Sequence, residues 1–165
     1  MLSRHPLRDG VIAGLIGALS VAAWFFALDA LAGRPFFTPA VLGAAVLDLL
    51  GGEFGGRGLV LHVVVYTIVH VIAFVAIGIA ATAATNRMEQ QPRAVTGFLI
   101  LFILFELTYL LGVRVAAASE LFGTYAWWHF GIANLIAALL MGRYIWSTHH
   151  AKSFWQPRTL HEERT

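Results

Sequence analysis

Charged residues almost vanish from four stretches of this chain, roughly 11–32, 59–83, 95–113 and 126–146, and gather in the segments between them. A hydrocarbon core about 30 Å thick takes about 20 residues of helix at about 1.5 Å each. Each stretch comes near that length. The pattern predicts an all-α fold, a four-transmembrane-helix up-down bundle that fills residues 1–165 as a single integral membrane domain. The polar tail, 147–165, reads as loosely ordered.

Between the first two spans the pattern changes. In Gly33-Arg34-Pro35-Phe36-Phe37-Thr38-Pro39, Thr38 reads as a helix N-cap and Pro39 as the first helical residue. The apolar run that follows to Leu50 is about 12 residues long, too short to span. It suits a short interfacial or re-entrant helix. Gly51, Gly52, Gly55, Gly56 and Gly58 then form a pliable connector. No strand precedes these glycines and no Gly-Lys-Ser/Thr ends them, so they are not a phosphate-binding loop.

Composition agrees with a membrane solvent. Of 165 residues, 59% are hydrophobic and 12% charged, against about 25% charged in a soluble domain, and mean hydropathy is +0.76. Cysteine is absent, which removes disulfides, thiolate metal sites and cysteine catalysis. The net charge of +2 is scattered over loops and tails and makes no nucleic-acid surface. Arg4, Arg8, Arg87, Arg93, Arg143, Lys152, Arg158 and Arg164 fall on one side of the four-span map; Arg34, Arg57 and Arg114 fall on the other. The positive-inside rule makes both termini cytoplasmic. Tyr125, Trp127 and Trp128 then lie at the outer interface, with Tyr144 and Trp146 at the inner one. Arg4, Arg8 and the Ala30-Leu31-Ala32 triplet imitate a cleavable signal, but the apolar run from Val11 to Leu28 exceeds the usual signal core. We read it as a retained first span. Its small residues form two faces for close packing, Ala13-Gly17-Ser20 and Gly10-Gly14-Ala18.

Within the spans, the few polar residues sort into two layers. His70, Glu106 and Asn134 fall near the midplane; Asp29, His62, Arg114 and His129 fall about a turn below the outer boundary. His62, Tyr66 and His70 recur every fourth residue, a stripe that belongs inside a bundle. A carboxylate at the bilayer centre costs about 2.5–3.5 kcal/mol on insertion scales, and Glu106 has only apolar neighbours in sequence. A Glu106–His70 pair could relay protons, bind a cation or hydrogen-bond a quinone. Alternatively, the midplane residues bond one another at about 0.6–2 kcal/mol per contact and lock the bundle. In the outer layer, His62 and His129 on diagonal helices have the geometry to grip haem b. With Asp29 they make a two-His, one-carboxylate candidate for a divalent metal; Asp29 and Arg114 could equally form an ion pair. His62 and His70, about 12 Å apart along one axis, cannot share a metal. His149, His150 and His161 sit in the polar tail.

No Gly-x-Ser-x-Gly or His-Glu-x-x-His motif stands in the spans, so catalytic residues are not assigned, and no inverted repeat points to transport. Arg34 through Gly43, Tyr66 through His70 and Trp128 through Met141 carry a resemblance over most of the length. By these segments the chain resembles small four-helix bacterial integral membrane proteins. The resemblance implies a multi-pass protein of the bacterial inner (cytoplasmic) membrane and contributes no site residues. The resulting expectation is a non-enzymatic subunit or scaffold that meets the lipid bilayer and other membrane proteins or itself. Its contact surfaces would be the small-residue faces of the first span and the short apolar helix. The alternative is a haem-, metal- or quinone-binding redox or ion-handling protein.

Overall fold

In the computed structural model, residues 6–51, 58–88 and 127–153 are described, and they fold into four helices with no strand among them. These are α1 (Pro6–Leu31), α2 (Phe37–Leu49), α3 (Leu59–Met88) and α4 (Trp127–Ser153). Leu7–Leu31, Leu59–Thr85 and Trp128–Thr148 are each long and apolar enough to cross a membrane. The expected span at 95–113, with Glu106 and Arg114, lies outside the described residues.

The helix ends depart from the hydropathy boundaries for local reasons. Helix α1 starts at Pro6, whose missing N–H costs nothing at a first helical position, and Asp9 complements the positive end of the helix dipole. It closes in a Schellman motif: Gly33, at φ 70°, donates to the Ala30 carbonyl (3.0 Å), and Arg34 N–H donates to the Asp29 carbonyl (2.9 Å). Helix α3 runs on to Met88 because no proline interrupts it before Pro92. Helix α4 passes the expected end at 146 and reaches Ser153, which corrects the reading of the tail as loose from Ser147. Here too no breaker intervenes before Pro157, and the Ser147 and Thr148 hydroxyls donate to the Tyr144 and Ile145 carbonyls (2.8 Å each).

Helix α1 packs against both long neighbours and runs antiparallel to each. Toward α3, Gly10 meets the backbone of Gly78 and Ile79, and Gly14 meets that of Phe74 and Val75. A Cβ at any of Gly10, Gly14 or Gly78 would lie against main chain, which has no rotamer by which to yield. Toward α4, Gly17 faces Met141 and Phe25 packs on Phe130, with ring centroids 4.8 Å apart. Ala13, Ala133, Ala137 and Met141 are wholly buried in this seam. Both small-residue faces of α1 are thus occupied inside the fold, so they are not surfaces held open for a partner. Since α3 and α4 both oppose α1, they run parallel to each other. The start of α1 and the end of α4 lie at one end of the molecule, and α2 lies at the other.

Helix α2 packs chiefly along α3. Gly43 is seated directly on the main chain of His62, so close that no side chain fits between them. The start of α2 differs from expectation. Its first residue is Phe37, Phe36 occupies the cap position with a left-handed φ of 72° and no side-chain cap bond, and Thr38 and Pro39 lie inside the first turn. Thr38 is not the cap because Asp29, at the end of α1, supplies the acceptor from outside the local sequence.

Candidate functional site

Two polar arrangements among the described residues are built on α1. At the α2 end, Asp29 is fully buried. Its Oδ2 accepts the Thr38 N–H (2.8 Å) and its Oδ1 accepts the Thr38 hydroxyl (2.9 Å). One residue therefore closes two helices: its carbonyl terminates α1 and its carboxylate caps α2. Charge-assisted bonds of this kind are roughly twice as strong as neutral ones. Both carboxylate oxygens are engaged, so the Asp29 expected in an outer-layer metal set is committed to a helix cap.

Deeper along α3, His70 bridges to α1. Its Nε2 lies 3.2 Å from the Ala18 carbonyl and its Nδ1 lies 3.2 Å from the Tyr66 hydroxyl. A carbonyl only accepts, so Nε2 carries a hydrogen; in the neutral ring Nδ1 is then the acceptor and Tyr66 donates. The Tyr66, His70 and Phe74 rings follow one another up the helix, at centroid separations of 5.1 and 4.6 Å. With both ring nitrogens engaged, His70 has none left for Asn134, which lies half-buried on α4. The proposed partner Glu106 lies outside the described residues, as does Arg114.

His62 sits one turn before Tyr66, in the first turn of α3. Its Nε2 is buried and has no hydrogen-bond partner among the described residues. An imidazole nitrogen hidden from water without a partner costs about 1–3 kcal/mol, and it shares that condition with Trp24 Nε1 and Thr82 Oγ1. His129, in the first turn of α4, stacks on Trp128 with centroids 3.6 Å apart. Among the described residues, no group of three or more His, Asp or Glu converges as a metal site.

Sequence reasoning missed three participants. Thr38 was read as a cap rather than as the ligand of Asp29. The Ala18 carbonyl is main chain, which composition cannot flag. Gly78 carries no polar group to mark it, although it continues the four-residue row His62, Tyr66, His70, Phe74, Gly78, Thr82 along α3 and meets Gly10 and Gly14 of α1. Extending the polar stripe by two more steps would have found it. Comparison with protein-family models, with curated proteins and with solved structures finds no match to this chain.

Proposed function

We propose that this chain is a multi-pass subunit or scaffold of a membrane assembly, without catalytic chemistry of its own. The supporting observation is how its polar and apolar groups are spent. Asp29 ties α1 to α2 and His70, bonded to Tyr66 on its own helix, ties α3 to α1, while long apolar rows face outward. On α3, Val60, Val64, Ile68 and Ile72 are all exposed at four-residue spacing; on α4, Leu135, Leu139 and Trp146 are exposed. Such rows suit lipid and neighbouring membrane helices.

The four-span arrangement belongs to the same proposal. Helices α3 and α4 run parallel, and the apolar stretch 95–113 has the length of a further span between them in sequence, which supports a four-span reading. Helix α2 is then a re-entrant or interfacial piece on the outer face, and both termini face the cytoplasm of a bacterial inner membrane, as the arginine distribution supports.

The test is extraction into native nanodiscs, followed by mass measurement of the intact particle, absorption spectroscopy and elemental analysis. The proposal expects a colourless, metal-free particle that holds this chain in fixed stoichiometry with other membrane chains or further copies. A lone monomer carrying stoichiometric haem, iron or zinc would contradict it. The second reading, a haem-, metal- or quinone-binding protein, draws on one observation, the buried His62 nitrogen with no partner.

A further inference from the structure

Helix α4 carries one charge where its neighbours are apolar. Arg143 is exposed and lies inside the apolar Trp128–Thr148 stretch, about 7.5 Å along the axis from its end. It continues an outward row, Leu135, Leu139, Arg143, at four-residue spacing. The packing of α1 on α4 gives a similar depth. Met141 meets Gly17 of α1, so Arg143, two residues on, falls about 12 Å inside Leu7, where the apolar stretch of α1 begins. Arg143 makes no hydrogen bond or ion pair with another described residue, and α4 contains no Asp or Glu. The end of the molecule nearest to it is cationic: α1, α3 and α4 bring Arg8, Arg87, Arg143 and Lys152 there, against Asp9.

A guanidinium at such a depth ordinarily reaches the headgroups along its own stem. Here the helix direction opposes that. The Cα–Cβ bonds of a helix tilt toward its N-terminus, which for Arg143 is toward the bilayer midplane. The counter-charge therefore has to come down to the arginine. We propose that Arg143 holds the phosphate of one anionic phospholipid, in the leaflet at the α1-start end, with the acyl chains of that lipid lying over Leu139 and Leu135. Arginine matches phosphate with paired N–H donors. Leu139 and Leu135 follow on the same face, about 6 and 12 Å nearer the midplane, where the tails of a lipid held at Arg143 must run. Trp146, exposed on the next turn, stands on the headgroup side of the arginine. The excess of cations at this end selects a lipid with net negative charge. The proposal rests on α4 crossing the bilayer and not on the chain being a subunit.

Native mass spectrometry of the full-length protein in detergent tests this, titrating phosphatidylglycerol against phosphatidylcholine of the same acyl chains. Arg143→Gln removes the charge, Arg143→Lys keeps it without the paired donors, and Arg8→Gln removes a charge at the same end but off the α4 row. Far-ultraviolet circular dichroism checks that each variant stays helical. The wild type is expected to bind one phosphatidylglycerol at least about tenfold more tightly than phosphatidylcholine. Arg143→Gln should abolish that preference, Arg143→Lys should weaken it, and Arg8→Gln should leave it within about twofold. A wild type without the preference overturns the site, whatever the variants do. So does an Arg143→Gln protein that keeps the preference, or an Arg8→Gln protein that loses as much, since the attraction would then be diffuse. Pairing of Arg143 with an acid of a neighbouring membrane chain would also overturn it: Arg143→Gln would shed that chain from nanodiscs and leave phosphatidylglycerol binding unchanged. Failure of the subunit reading looks different, a lone monomer in nanodiscs that still prefers phosphatidylglycerol.

Discussion

The crossing of α1 and α3 at glycine makes the sharpest quantitative prediction. At Gly78 a Cβ would lie against the Gly10 carbonyl and the Gly14 nitrogen, both main chain of α1. Relief requires the two helices to separate. Overpacking of this kind costs about 1–3 kcal/mol, and separation also stretches the His70–Ala18 bond, worth about 0.6 kcal/mol in a membrane interior. Against this, alanine gains up to about 1 kcal/mol of helix propensity over glycine. Gly131 is the matched control: it is helical in α4, and a Cβ there meets nothing within 4 Å. Gly78→Ala is therefore expected to lose about 1–2 kcal/mol, and Gly131→Ala to be as stable as the wild type or more so. The gap between the two variants should then be at least about fivefold in the unfolding constant. Unfolding in mixed micelles, followed by far-ultraviolet circular dichroism, measures both. Equal stability of the two variants would refute the close crossing.

Other consequences follow from single contacts. Thr38→Val removes the hydroxyl bond to Asp29 while keeping the N–H bond, and should cost about 1 kcal/mol; Thr38→Ser should cost a few tenths at most, read in the same unfolding assay. Nitrogen-15 NMR of the imidazoles should find His70 as the neutral Nε2–H tautomer, with Tyr66→Phe shifting Nδ1 and sparing Nε2; an Nδ1–H ring would contradict the assignment. Gly33→Ala meets no atom within 4 Å, so its expected loss of about 1 kcal/mol comes from backbone strain alone, and a D-alanine introduced there by semisynthesis should lose nothing.

Much of the helical layout was legible because hydropathy in a bilayer is a strong signal: three of the expected spans coincide with α1, α3 and α4 to within a turn or two. The two small-residue faces of α1 were legible too, but not what fills them, because glycine and alanine look alike whether they receive a neighbouring helix or a separate protein. Helix ends were read poorly where capping depends on groups distant in sequence, as at Thr38. Left-handed Phe36 could not be foreseen, since glycine and asparagine are the residues that usually signal that conformation. At the polar sites, residue type singled out Asp29, His62, Tyr66 and His70, but could not choose their partners. Asp29 found a threonine nine residues on and His70 a main-chain carbonyl, and neither choice leaves a trace in composition.

The central claim, a chain threaded through a bilayer with the start of α1 and the end of α4 on one side and α2 on the other, is open to direct measurement because the protein has no cysteine. Leu7→Cys, Leu50→Cys and Ser153→Cys each give one thiol, to be labelled with a membrane-impermeant maleimide in sealed vesicles of known orientation. The account predicts that Cys variants at 7 and 153 label from the same side and the variant at 50 only from the opposite side. Labelling of all three from one side, or of 7 and 153 from different sides, would contradict it.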